Sequence, residues 1–326
     1  MTFDCSSNWV LAIAANAPQV ATNPSAFHKW ITSPIVAAPA PIPVFVLLAP
    51  VLWLLFRNTW RELDTQAQRE RGRLLAIDKW DARPAVACVI MAVVLTLHEY
   101  YGGGRTYQSD IMPLLKEWEN GWLYKYINLR KYNNLYSYGW WSFTRLLGYV
   151  VIPLTAWKII FRKDSILDMG FRIKGFIRHA WIYLVSLCIV IPAVLIVAQQ
   201  PDFGTYYPFY KQSSRSWLDL GCWEVMYFAQ FLGLEIFFRG WFLGALRKTL
   251  GSGAIFAMIM PYCMIHFGKP YLEAHGAIVA GIFLGSLAMK TKSIYAGFLV
   301  HITVALTMDM VALHNSNALP TQLFAP

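Results

Sequence analysis

The chain has 326 residues, 57% of them hydrophobic and 14% charged, where an ordinary soluble domain carries about a quarter charged residues. Its net charge of +10 does not gather into a basic patch, which argues against a nucleic-acid partner; the Lys and Arg residues fall between apolar runs. Five cysteines (Cys5, Cys88, Cys188, Cys222, Cys263) stand singly, so neither a zinc knuckle nor a disulfide framework is implied, and reduced, buried thiols are expected.

In chain order, residues 1–33 contain Asp4 and lack the basic start of a cleavable signal peptide. They are expected to form a non-cytoplasmic arm. Eight apolar segments follow, each near the roughly 20 residues that a helix needs to cross a bilayer. The first runs from about Pro34 to Phe56 and the second from Pro84 to Tyr101, ending at Gly102-Gly103-Gly104. The stretch from Arg105 to Tyr138, rich in tyrosine and asparagine, is too polar to span and is expected as a loop that caps the helices or meets a substrate. The third segment covers Trp140 to Phe161 and the fourth Phe176 to Ala198, kinked at Pro192. Between them, Asp164 to His179 alternates apolar and basic residues, as an interfacial cytoplasmic segment would. The last four cover Leu218–Leu246, Ser252–Phe267, Ala274–Met289 and Ser293–Leu313.

These segments predict an all-α, polytopic transmembrane helical bundle of about eight spans. Residues 34–198 form its N-terminal helices and loops, 218–313 its core, and 314–326 a tail. The loops after the first, third, fifth and seventh segments hold 16 Lys and Arg residues, counting Arg178 at the start of the fourth segment, against 9 in the N-terminal arm and the alternate loops. Positive residues favour the cytoplasmic side, so both termini are expected to face away from it.

Ionisable residues inside a span cost roughly 2.5–3.5 kcal/mol each on insertion scales and call for a reason. The fifth segment holds Glu224, Glu235 and Arg239. Glu235 and Arg239 are four apart, as an intrahelical ion pair requires, and Glu224 returns to nearly the same helix face eleven residues earlier. The sixth segment ends in Tyr262-Cys263-Met264-Ile265-His266, and the eighth carries His301 between Val300 and Ile302. Counted from their cytoplasmic ends, Glu235, His301 and His266 lie roughly 16, 12 and 22 Å deep, so the three can meet near mid-membrane. One carboxylate and two imidazoles can bind and deprotonate a water, directly or through a metal, as peptide hydrolysis requires. Lys269 and Glu273 follow His266 and are expected at the mouth of such a site. An internal ion pair fixing the helices is the structural alternative for Glu235 and Arg239.

These residues carry a family resemblance. The CPBP family of intramembrane proteases (CAAX proteases and bacteriocin-processing enzymes, Abi-type) has Glu-Glu-x-x-x-Arg on one helix, Phe-x-x-x-His on the next and His-x-x-x-Asn/Asp on a third. Here the three read Leu234-Glu235-Ile236-Phe237-Phe238-Arg239, Tyr262-Cys263-Met264-Ile265-His266 and His301-Ile302-Thr303-Val304-Ala305. The Ser293-Ile294-Tyr295-Ala296-Gly297 lead-in is also similar to family sequence, as is, more faintly, Met169-Gly170-Phe171-Arg172. The resemblance covers about Leu218 to Met310. It implies an intramembrane endopeptidase with Glu235 as general base, Arg239 as its orienter, and His266 and His301 holding water, oxyanion or metal. Glu235, His266 and His301 would suit Zn2+ as well as a glutamate-activated water. The substrate implied is a membrane-associated protein or peptide, and the location a multi-pass position in a lipid bilayer, the inner (plasma) membrane if the host is bacterial. Two departures favour an alternative, a catalytically inactive CPBP-like scaffold or immunity factor. Leu234 stands where the family has its first glutamate and Ala305 where it has Asn or Asp. Asp309, two turns beyond His301, is the nearest carboxylate that could replace the missing oxygen ligand.

Overall fold

The computed structural model describes residues 35, 38–39, 41–121, 123–124, 126–199, 203–267 and 271–324. The expected arm 1–33 and Lys269 lie outside the described residues, as does the side chain of Glu273. Where described, the predicted apolar segments all fall on helices, some on two in succession, and one further helix lies between the second and third segments. These are α1 (Pro41–Ala76), α2 (Arg83–Tyr101), α3 (Met112–Asn120), α4 (Leu129–Leu146), α5 (Ile152–Ile160), α6 (Ile173–Arg178), α7 (Ala180–Val197), α8 (Trp217–Glu235), α9 (Leu243–Leu250), α10 (Gly253–Met264), α11 (Tyr271–Thr291) and α12 (Tyr295–Asn315). A π-helical turn joins α4 to α5, and another, Ile236–Phe242, joins α8 to α9. Among the described residues the only extended pairing is the single bridge between Phe171 and Ser293.

Five helices are long and apolar enough to cross a membrane: α1, α2, the continuous Leu129–Ile160 rod, residues 274–291 of α11, and α12. The apolar part of α7 and all of α10 are shorter; the 12 residues of α10 rise roughly 18 Å. The α8–α9 run has the length but carries Asp219, Glu224, Glu235 and Arg239. On α1 the apolar side chains Val46, Leu47, Leu54 and Leu55 point outward. An exposed stripe of that kind is stable against lipid and unstable against water. The chain is an all-α, multi-pass integral membrane protein.

The tyrosine- and asparagine-rich stretch expected as a loop, Arg105 to Tyr138, is largely helical: a helical run up to Ile111 leads into α3, and α4 starts at Leu129. Asn128 caps it, its side chain accepting from Lys131 N at 2.9 Å. Its polar side chains find polar partners: Tyr107 donates to Asn133 (2.8 Å) and Tyr138 to the Phe209 carbonyl (2.8 Å). Apolar run length marks only the part of a helix that touches lipid, so it missed these turns.

The chain forms two compact units. One comprises residues up to 81 together with 246–290; the other comprises 82–245 with 291–326. In the first, Trp60 of α1 donates to Ser286 of α11 (2.9 Å), and Phe56 meets Phe283 edge-on at 5.7 Å. Gly281 lies against Ile259 and Tyr262, letting α10 and α11 approach closely. Gly251, at φ +59°, turns the chain into α10, where Asp64 accepts from Ser252 N at 2.7 Å.

In the second unit, Ser216 caps α8 by accepting from Asp219 N (3.1 Å). Ser142 of α4 donates to the Met226 carbonyl of α8 (2.9 Å), and the Tyr183 and Thr303 hydroxyls link α7 to α12 at 3.0 Å. The Met169–Gly170 loop tucks against the π turn. Gly170 adopts φ +90° and its carbonyl accepts from Ile294 N (3.0 Å), while a Cβ at Gly240 would overlap the Met169 carbonyl oxygen. That stretch, whose Gly170 lies 131 residues before His301 in sequence, therefore buttresses the same segment.

Candidate active site

The site is built where α8 passes into its π turn. Seven consecutive residues, Ile236 to Phe242, are buried there. Phe237 stacks on Tyr149 (4.8 Å between centroids) and on Trp241 (5.3 Å), so bulky rings wedge the turn in place. A π turn widens the helix locally and recurs at functional sites. Here it follows immediately after Glu235 and contains Arg239.

Glu235 is wholly buried. Its Oε1 lies 3.2 Å from Arg239 Nη1 and 3.0 Å from His301 Nδ1 of α12. A carboxylate only accepts, so a proton at this contact sits on His301 Nδ1. Phe231, one turn before Glu235, stacks on the imidazole at 5.1 Å and 9°. Of the pair, it is His301 that retains some exposure, 16% of its side chain against none for Glu235. Gly297, one turn before His301, makes the approach possible: a Cβ there would overlap the Glu235 carboxylate. An isolated carboxylate in such surroundings would be very unfavourable; Arg239 supplies the compensating charge.

His266 belongs to the other compact unit. It lies in the turn after α10, with Nδ1 2.7 Å from the Tyr262 carbonyl and its ring edge-on to Tyr262 at 4.8 Å. The carbonyl is an acceptor, so Nδ1 is again the protonated nitrogen. Leu234 and Ala305, the two departures from the family pattern, are both buried apolar packing residues, Ala305 among Leu220, Trp223 and Tyr227. Asp309 is engaged elsewhere: its Oδ2 accepts from Trp223 Nε1 at 2.7 Å, and its carboxyl faces Glu224. Eight residues at 1.5 Å each put it roughly 12 Å along α12 from His301, too far to supply an oxygen to the same centre.

A protein-bound Zn2+ at this centre would need at least three side-chain ligands. Among the described residues no three His, Cys, Asp or Glu side chains are placed to hold a metal ion. The Glu235 Oε1 is moreover committed to two cationic or donor groups.

Residues 216–307 match the family described as Rce1-like, type II CAAX prenyl endopeptidase Rce1-like. This core is similar to CAAX proteases. The match is consistent with the CPBP resemblance and spans under a third of the chain. Within this CAAX-protease-like core fall the Ser216 cap, Glu235, Arg239, His266, Gly297 and His301; the Met169–Gly170 loop and Asp309 lie outside it. No curated protein and no solved structure matches the chain. Sequence reasoning overlooked Phe231, and it met Gly297 only as the end of the Ser293–Gly297 lead-in. Both sit one helical turn before a singled-out residue, the spacing at which side chains or backbones share a face.

Proposed function

We propose that this protein is an intramembrane endopeptidase that hydrolyses a membrane-associated protein or peptide. The observation that carries the reading is the Arg239–Glu235–His301 chain of contacts, buried on helices of the CAAX-protease-like core. Arg239 keeps Glu235 ionised, and Glu235 fixes the His301 tautomer and orientation, as a carboxylate does for an imidazole in other hydrolases. His301 Nε2 then takes a proton from water as the water attacks the scissile carbonyl, and returns it to the leaving amine. The full burial of Glu235 favours this division of labour over direct action of the carboxylate as base. His266 is the second imidazole of the family pattern, and its part in holding water or the oxyanion rests on that resemblance. No step is assigned to a metal.

The test is to identify membrane peptides that accumulate when the protein is deleted, then restore wild type, Glu235→Gln or His301→Ala at matched expression. Each variant is expected to leave the peptides uncleaved, with processing at least 100-fold slower, the lower range for removing a general base. Wild-type processing by both variants would overturn the reading. A second reading, a catalytically silent CPBP-like scaffold or immunity factor, is favoured by the buried apolar Leu234 and Ala305 at positions where the family carries polar groups. It predicts peptide binding without cleavage by wild type.

A further inference from the structure

Glu224 of α8 and Asp309 of α12 form a second buried acidic centre that the proposed mechanism does not use. Glu224 is 6% exposed and Asp309 not at all. The two carboxyls face each other within hydrogen-bonding reach. Asp309 Oδ2 takes the Trp223 indole N–H, but both Glu224 oxygens and Asp309 Oδ1 lack a donor. Three buried acceptor oxygens facing one another cannot remain so if both groups are ionised, because neither desolvation nor repulsion is offset.

The neighbours do not resolve this. On α8 itself, the titratable residue one turn on is Tyr227, stacked on Trp223 at 4.7 Å. From α4, Tyr138 faces Asp309 and donates its hydroxyl to the Phe209 carbonyl. From the turn before α8, Lys211 faces Asp309 while its ammonium donates to the Gly204 carbonyl at 3.2 Å. Arg215 is taken up by Asp219, Nη2 to Oδ1 at 2.6 Å. Tyr210 also donates to Asp219 (3.0 Å), and burial followed by that bond pushes its phenol above the ordinary range. From α7, Tyr183 meets Thr303 of α12, nearly two turns away. One cation facing two carboxyls leaves one negative charge unmatched.

We propose that Glu224 and Asp309 share a single proton, as an acid–carboxylate pair that joins α8 to α12 and holds the register in which Glu235 meets His301. A shared proton converts two facing acceptors into a donor and an acceptor, and a coupled pair of this kind titrates as a unit. The two helices are the ones that carry Glu235 and His301, so Glu224 and Asp309 are positioning residues for that contact. This second half rests on the hydrolase reading; the shared proton does not.

The experiment uses the full-length protein in detergent micelles and follows thermal unfolding against pH for wild type, Glu224→Gln, Asp309→Asn and Glu224→Ala. A proton held in the fold and released on unfolding stabilises fully below the range where free carboxyls titrate, and that stability is lost progressively as pH rises from there to the point where the folded pair gives the proton up. Wild type should therefore lose several degrees of Tm across that window and little more beyond it. Gln or Asn at either position supplies an N–H in place of the proton. Those two variants should match wild type at mildly acidic pH and keep their Tm as pH rises, whereas Glu224→Ala should melt lower throughout. Infrared difference spectra should show one protonated-carboxyl band in wild type that Glu224→Gln or Asp309→Asn removes. The proposal is overturned if Glu224→Gln melts as low as Glu224→Ala at neutral pH, if the band is absent, or if sodium or calcium ions raise the wild-type Tm and not that of Glu224→Gln. The melting and infrared results hold whether or not a substrate is cleaved. For positioning, Glu224→Ala should slow peptide processing and Glu224→Gln should restore it; full processing by Glu224→Ala would remove that half alone.

Discussion

Arg239 and Glu235 are both buried on every side, and at that depth each depends on the other. Replacing Arg239 with Met leaves a carboxylate with only the imidazole for company. Breaking such a pair costs about 3–5 kcal/mol, whereas the Glu235→Gln/Arg239→Met double variant removes both charges and should recover most of it. Chemical denaturation of the two variants in mixed micelles checks the difference; equal losses would mean that the pair is not coupled. The residue pattern made this contact legible, because Glu and Arg four residues apart in an apolar run share a helix face and offset each other's cost of burial. Glu224 and Asp309 were visible as intramembrane acids for the same reason. Their pairing was not, because 85 residues separate them and nothing in either local pattern names the other.

At the level of elements, the contact between α8 and α12 depends on what is missing from Gly297. A methyl group at that position would occupy the volume of the Glu235 carboxylate. Gly297→Ala is therefore expected to push Glu235 off His301 and to slow peptide processing at least tenfold. The stability cost should be modest, about 1–3 kcal/mol, the usual range for overpacking. Thermal unfolding beside the processing assay separates the two effects, and a variant that processes normally would show that the close approach is dispensable. Gly240 and Gly170 act alike around the π turn, where backbone meets backbone through the Met169 loop. That the faint Met169-Gly170-Phe171-Arg172 similarity marks a supporting loop follows from its contact with Gly240 and Ile294, which a one-dimensional pattern does not contain. The lower turns of α4 were missed for a related reason: their polar side chains bond to other polar groups beyond the apolar stretch, so hydropathy ended before the helix did.

For the whole molecule, the distribution of Lys and Arg predicts that both chain ends face away from the cytoplasm. A reporter that is active only outside the cytoplasm, fused after Pro326, should be active, and one fused in the loop after α1 should be silent; the reverse pattern would invert the topology. Membrane class and helical fold are written in composition and run length, because lipid demands long, internally hydrogen-bonded apolar segments wherever the chain crosses it. Glu235, Arg239, His266 and His301 are likewise legible in sequence as candidates, since an ionisable group in such a segment is costly and calls for a reason. Only the tertiary structure decided that Glu235 lies behind His301 rather than open to water, that Gly297 and Phe231 shape their contact, and that Asp309 serves Trp223 and Glu224. Those outcomes depend on which helix faces meet and how closely their backbones approach, and distance between helices is a property of packing rather than of any single segment.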